Sequence, residues 1–434
     1  MVPIGNGAFR ISSNSDSPEQ KPARAAEQVV VRAGWRQMFS ALSHREFRVL
    51  WFGMLPSMFA LQMGSVVIGF VAYDISGIAA VLGIIAAGMG IPMFSLSLIG
   101  GVVADRVRKR NVILFSQLAI GIAVTLIGVL ILTDLIEIWH LVVMALIQGT
   151  AFAFNMPARQ AYIAEVVPRD ALMNAVALNN AGMSMSRIAG PAAAGLLMSI
   201  PAIGSGGVFL LMGSMYAIAI TALFWVPPGT AHPSRHSGIH QLKDGLSYVK
   251  NHPVLRILLL LALAPIVLGM PYVQIMPVFA EDVFDVGASG LGTLMALNGV
   301  GALIGSLIIA SAGNVERRGL LQLGLGVTFG VSLAIFAFSP SYILALVAIV
   351  VVGGAGSGYM TLNNTLLIMN AGPEYHGRVM SLGMMSFSMM PLGSVPVSWI
   401  VDQVGAPITI GVAGIGLAVV VGIVAILSEN YRKI

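Results

Sequence analysis

The chain has 434 residues, 57% of them hydrophobic and only 9% charged, with a mean hydropathy of +0.89. A soluble domain carries about 25% charged residues. This composition therefore cannot cover a water-exposed surface, and it excludes disorder, collagen, coiled coil and nucleic-acid-binding modules for most of the length. The net charge of +5 is informative through its placement rather than its sum. The absence of Cys excludes disulfides, thiolate metal sites and Cys nucleophiles.

Residues 1–46 are polar, with a Ser-rich start (Ser12, Ser13, Ser15, Ser17). The lead is too long and polar for a secretory signal, so it reads as a cytoplasmic tail that turns into a short surface helix near Trp35–Leu42. A membrane helix needs roughly 20 apolar residues. Twelve such stretches follow, at about 47–74, 77–104, 111–133, 137–161, 171–199, 205–226, 256–279, 287–312, 318–338, 341–369, 377–401 and 405–428. The fourth, tenth and eleventh carry the most polar residues. The 50 Gly and 25 Met suit closely packed membrane helices and adaptable apolar surfaces.

Lys and Arg set the expected orientation. With the N-terminus inside, Arg106, Arg108, Lys109, Arg110, Arg169, Arg235, Lys243, Lys250, Arg256, Arg317, Arg318, Arg378, Arg432 and Lys433 all fall on the cytoplasmic side. The outer loops hold no Lys or Arg; they hold Asp74, Asp134, Glu137, Glu281, Asp282, Asp285 and Asp402. One misassigned span would scramble this separation, so it points to an even number of spans with both ends inside.

The longest loop, 227–255, opens with Pro227-Pro228-Gly229 and then reads as an amphipathic helix with Ile239, Leu242, Leu246 and Val249 at helical spacing. It divides the chain into a bundle at 47–226 and a second at 256–428, with a short tail at 429–434. A shift of 205 residues lays Val167-Pro168-Arg169-Asp170 on Gly372-Pro373-Glu374-Tyr375 and Pro191 on Pro396. Repeated halves with a site between them are the architecture of a secondary transporter.

The segment Gly100-Gly101-Val102-Val103-Ala104-Asp105-Arg106-Val107-Arg108-Lys109-Arg110 joins the second and third spans. Its basic residues alone would make an ordinary positive-inside loop. A carboxylate at the membrane edge needs a partner or a helix N-terminus, so Asp105 calls for more. The segment resembles the Gly-x-x-x-Asp-Arg-x-Gly-Arg-Arg signature of the major facilitator superfamily. Gly190, Pro191 and Gly195 in the fifth span are similar to the Gly-Pro signature of its exporter branches. Pro157-Ala158-Arg159-Gln160, Val167-Pro168-Arg169-Asp170-Ala171-Leu172 and Gly245-Leu246-Ser247-Tyr248-Val249 resemble the branch of enterobactin exporters and macrolide-efflux proteins. Two positions depart from the pattern: Arg108 replaces the second signature Gly, and Ala145 stands where the family often has an Arg. The resemblance implies an all-α membrane protein, with twelve transmembrane helices in two six-helix pseudo-repeat bundles. It further implies that Gly101, Asp105, Arg106, Lys109 and Arg110 form a cytoplasmic gate. Asp105 would then meet the start of the eleventh span near Gly377 and Arg378.

Polar side chains inside the spans are the binding candidates. Asn180, Ser184 and Arg187 share one face of the fifth span, and Gln148, Phe152, Asn155 and Arg159 share one face of the fourth. Arg159 either faces a cavity, snorkels to the cytoplasmic surface or pairs with Glu165. Pro265, Pro271 and Pro277 permit bending of the seventh span around Gln274. Asn298, Tyr359, Asn363 and Asn364 lie in the eighth and tenth spans, where each Asn either binds ligand or makes an interhelical hydrogen bond. Gln62 and Met63 represent the first span, and Met380, Met384, Met385, Met389 and Met390 line the eleventh. No Asp or Glu lies well inside a span, which leaves Asp74, Asp105 and Glu165 as proton-coupling candidates. His232, His236 and His240 recur every four residues, but Pro233 and Gly238 interrupt the helix a metal site would need.

No phosphate loop, nucleophile elbow or His-Glu-x-x-His appears, so no enzyme, cofactor or metal centre is expected. The expected function is export of a small apolar or amphipathic molecule by alternating access, with protons as the counter-ion. A monomer in the plasma (inner) membrane, with both termini cytoplasmic, is expected. The alternatives are an importer on the same fold and a non-transporting scaffold or receptor.

Overall fold

The computed structural model describes residues 40–229, 244, 246–311, 317–387, 389–428 and 431. The expectations for the 1–39 lead, for His232, His236 and His240, and for Arg432 and Lys433 lie outside these residues.

Every segment expected to cross a membrane is helical. The first half runs α1 (Arg45–Ser76), α2 (Ala79–Arg106), α3 (Lys109–Leu132), α4 (Ile138–Val166), α5 (Leu172–Met198) and α6 (Gly204–Leu223). The second runs α7 (Pro253–Val283), α8 (Gly287–Ser311), α9 (Arg318–Ala337), α10 (Tyr342–Asn370), α11 (His376–Phe387), α12 (Met390–Val404) and α13 (Ala406–Leu427). Among the described residues, ten helices are long and apolar enough to cross a bilayer. α5 is outside that set because Asn174, Asn179, Asn180 and Arg187 lower its hydropathy. The eleventh expected span is not one helix but the consecutive pieces α11 and α12, with Met389 in a turn and Pro391 opening the second piece. A Pro removes an N–H and pre-sets the first turn of a new helix.

α7 bends where its prolines predict. Residues Pro265–Gly269 and Phe279–Val283 are π-helical, closed by Met270 N–H to Pro265 O at 2.7 Å and Phe284 N–H to Phe279 O at 2.9 Å. Pro265 has no N–H to give the Leu261 carbonyl one turn earlier, and the Tyr359 hydroxyl donates to that carbonyl at 2.7 Å instead.

The contact scheme repeats between halves. α2 packs on α4, α3 on α4 and α6, and α1 on α6; in the second half α8 packs on α10, α9 on α10 and α13, and α7 on α13. The halves meet along two seams, α5 with α8 and α2 with α12. Exchanging the halves converts one seam into the other, as a pseudo-two-fold axis requires. The outer shell is apolar, with Leu260, Ile343 and Ile426 exposed. Exposed Trp139 and Trp399 lie near the acidic-loop ends of α4 and α12, and Trp225 lies just past the basic-loop end of α6, where bilayer interfaces favour indole.

Close approach rather than bulk drives the packing, because lipid offers no hydrophobic gain between helices. The glycines of α10 show it: a Cβ on Gly353 would lie 3.1 Å from the Ala302 nitrogen and overlap the Asn298 carbonyl oxygen of α8. Gly353→Leu is expected to force α8 and α10 apart at a cost of about 1–3 kcal/mol. Thermal unfolding of the purified variant in detergent would read this as a lower midpoint.

At the acidic-loop face the seams are shut. A Cβ on Gly195 of α5 would meet Ala288 O of α8 at 2.6 Å, and Ser398 of α12 is fully buried against Gly83 of α2. The Tyr73 hydroxyl of α1 donates to Asp282 of α7. At the basic-loop face α11 packs on α10 and α7 rather than on α2. Met173, at the start of α5, is 82% exposed. Among the described residues, the side-chain contacts between the halves therefore lie at the acidic face and towards the middle of the molecule.

Candidate functional site

The residues that could hold a ligand meet where α5, α7 and α8 cross the middle of the molecule. Arg187 is exposed although it lies deep within α5. Its carbonyl faces Gly299 of α8, one residue from Asn298, so Arg187 lies where α5 of one half meets α8 of the other. Asn298 Nδ2 donates to the phenol of Tyr272 on α7 at 2.7 Å. Among the described residues no carboxylate lies within ion-pair distance of Arg187. An ionised Arg at the centre of a membrane helix costs about 2.5–3.5 kcal/mol unless it faces a partner or a wet cavity. Arg187 has no such partner among the described residues, and its side chain is exposed rather than packed.

α1 closes one side of the site. Gly190 lies less than a turn from Arg187, and a Cβ there would sit 2.7 Å from Gln62 Cβ and 3.3 Å from the Gln62 carbonyl carbon. Pro191 O and Gly195 face Gly292 of α8. The Gly190, Pro191 and Gly195 motif is thus the surface on which α5 meets both its own half and the other one. Gln274 lies on α7 two residues past Tyr272 and is half-buried.

Other sequence candidates lie elsewhere. Gln148 and Asn155 are buried in α4, and Phe152 is half-buried between them. Tyr359 and Asn363 are buried inside the second half. The Tyr359 hydroxyl donates to Leu261 O at 2.7 Å, and Gln322 Nε2 donates to Asn363 Oδ1 at 2.9 Å. Gln322 also accepts from the Tyr431 hydroxyl at 2.5 Å, so a tyrosine beyond the last span closes this network; burial pushes its phenol well above the usual range. Arg159 donates to Asn179 Oδ1 of α5 at 2.9 Å, while Glu165 pairs with Lys109 at 2.5 Å. The partners are thus Asn179 for Arg159 and Lys109 of α3 for Glu165. Asp74 is exposed at the acidic end of α1.

The basic-loop face carries the gate candidates. α2 ends at Arg106, which is exposed, with Gly101 in its last two turns; Asp105 lies in its last turn, but its side-chain contacts fall outside the described residues. Lys109 and Arg110 tie the bundle below it, Lys109 to Glu165 and Arg110 Nη1 to Val226 O at 3.1 Å. Arg378 lies 5.0 Å from the Tyr375 ring, with Asp244 Oδ2 at 4.0 Å. Tyr375 stacks on Tyr248 at 3.9 Å, and the Tyr248 hydroxyl accepts from Gly372 N–H at 3.0 Å. The helix before the second half is therefore clamped to the start of α11.

Sequence reasoning missed Tyr272. The only local signal was its place between Pro271 and Gln274 on the bent span. Tyr272→Phe is expected to leave Asn298 without its acceptor and to lower stability by about 1 kcal/mol. Unfolding midpoints of Tyr272→Phe, Asn298→Ala and the double variant would show the loss as non-additive.

The comparisons agree with this architecture. The chain is 24% identical over 394 residues to macrolide efflux protein A of Streptococcus pyogenes, covering 90% of this chain and 97% of that one. It is 25% identical over 363 residues to the multidrug efflux pump Tap of Mycolicibacterium fortuitum, covering 81% and 88%. It is 25% identical over 359 residues to the enterobactin exporter EntS of Shigella flexneri, covering 81% and 84%. Among solved structures, the nucleoside transporter NupG superposes with a TM-score of 0.68 at 13% identity, covering 87% of this chain and 98% of that one. A bacterial homologue of the human lysosomal transporter Spinster, in an inward-facing conformation, gives 0.67 at 13% identity, covering 90% and 96%. Residues 36–431 match the family described as transmembrane secretion effector, so this chain belongs to that family of major facilitator membrane transporters and is not an enzyme.

Proposed function

We propose that this protein exports a small amphipathic molecule with an apolar body and an anionic group, by alternating access of the site between the halves. The observation that carries the reading is Arg187, an exposed cation deep within α5 with no carboxylate partner among the described residues, whose carbonyl meets Gly299 next to the Asn298–Tyr272 pair. An anion that docks there would gain charge-assisted hydrogen bonds in a site poor in water. The two bodies that rock are the halves at 47–226 and 256–428. Similarity to efflux proteins for a macrolide and for enterobactin supports the outward direction.

The basic loops face the cytoplasm in this reading, with both termini on that side of the plasma membrane. The chain holds no nucleotide-binding domain, and the proton gradient is the proposed energy source, with outward substrate movement exchanged for protons. Glu165, held by Lys109, is less available for that exchange than Asp74, which is exposed at the acidic end of α1.

The test uses proteoliposomes and a matched pair of probes, a carboxylate-bearing amphipathic fluorophore and its methyl ester. Arg187→Ala is expected to reduce transport of the carboxylate about tenfold or more, the equivalent of one charge-assisted hydrogen bond, and to spare the ester. Equal transport of both probes by parent and variant would remove Arg187 from recognition. An outward-directed pH jump that leaves uptake into inside-out vesicles unchanged would remove the proton from the cycle.

A further inference from the structure

The helix termini at the acidic-loop face contain an unusual division of labour. α2 starts at Ala79, and its first N–H groups have no acceptor within the helix. The preceding residue is Ile78, whose side chain offers no acceptor. Other helices solve this locally: Ser341 caps α10 through Leu344 N–H, and Glu137 with His140 forms a capping box on α4. α2 instead borrows its cap from the other half. Asp402, in the last turn of α12, accepts from Ala79 N–H through Oδ1 at 2.7 Å and from Ala80 N–H through Oδ2 at 2.9 Å.

The geometry assigns to Asp402 the role of a positioning residue that locks the acidic-side gate, holding α12 against α2 and thereby favouring the state open at the basic side. Two charge-assisted hydrogen bonds and the helix dipole act together across the seam. No local residue competes for the cap. The contact lies one turn beyond Ser398, which is fully buried against Gly83, while Asp402 itself is exposed at the acidic-loop face. The Tyr73–Asp282 hydrogen bond ties α1 to α7 at the same face, so the acidic end is pinned at two places. Parting the halves at this end must strip both N–H groups from the carboxylate at once. The closed arrangement is therefore a discrete state rather than one end of a continuous slide.

This assignment rests on the alternating-access reading. The experiment measures geometry without substrate, so it can fail independently of what is transported. The chain has no Cys, which allows spin labels to be placed without background. One pair, Leu135→Cys with Ile343→Cys, spans the two halves at the acidic face; a second, Met173→Cys with Met369→Cys, spans them at the basic face. All four positions are exposed and lie away from Asp402. Pulsed electron paramagnetic resonance in lipid nanodiscs would give both distance distributions in the parent, in Asp402→Asn, which keeps the shape but loses the charge, and in Asp402→Glu, which keeps the carboxylate.

Asp402→Asn is expected to lengthen the acidic-face distance in a population at least fivefold larger than in the parent, with matching shortening at the basic face. Asp402→Glu is expected to restore most of the parent distribution. Unchanged distributions in Asp402→Asn would overturn the assignment. So would a fall in unfolding temperature without any redistribution, because that outcome makes the cap purely structural. If Asp402→Asn does not fold, Ala79→Pro provides the second measurement. It deletes one of the two donors at a first helical position that tolerates Pro, and it must shift the same populations in the same direction.

Discussion

In hydrocarbon every backbone N–H and C=O must find a partner within the protein. That single requirement makes the described chain helical, and it explains where the structure spends its polar side chains. Within a helix the requirement is met automatically. At helix ends, at prolines and at the seams it is not, and these are the places where the informative contacts occur. The Tyr359 hydroxyl re-pairs the Leu261 carbonyl that Pro265 frees in α7, a serine caps α10, and α2 takes its cap from a helix of the opposite half.

The halves and the seams obey different packing rules. Inside a half, glycine backbones meet backbones, as with Gly301 against Val350 and Gly305 against Gly354, giving contacts too close to slide. Buried polar networks add rigidity: Tyr431, Gln322 and Asn363 knit α9 to α10 and fasten the segment beyond α13. Across the seams the contacts among the described residues run from the acidic face to the middle. A molecule built this way has two stiff bodies joined along those contacts.

The central site has complementary properties. Arg187 is the cation there, and its carbonyl meets Gly299 next to the neutral hydrogen-bonding pair of Tyr272 and Asn298. Gln62 approaches from α1 because Gly190 leaves room for it. As proposed, a site of one charge and a few hydrogen-bonding groups would bind an amphipathic molecule through one electrostatic anchor. It discriminates among substrates less sharply than a fully polar pocket does.

Spans, orientation signal and repeat were legible from residue order alone, because their causes are local. An apolar run of about 20 residues commits itself to the bilayer, Arg and Lys bias the loop next to them, and Pro271 bends the helix that contains it. The polar faces of α4 and α5 were equally legible as faces. What lay beyond reach was the identity of each face's partner. Tyr359 and Asn363 looked like cavity residues by their span, yet they bond Leu261 and Gln322 inside the second half. Tyr272 carried no reading from the sequence, and it bonds Asn298 of α8. Asp402 read only as an outer-loop charge, since its partners at Ala79 and Ala80 belong to the other half of the chain. The break between α11 and α12 was likewise hidden, because hydropathy continues through it. Propensity and hydropathy are sums over neighbours along the chain, whereas a partner across a seam is settled only when two bundles are assembled and their helix ends brought into register.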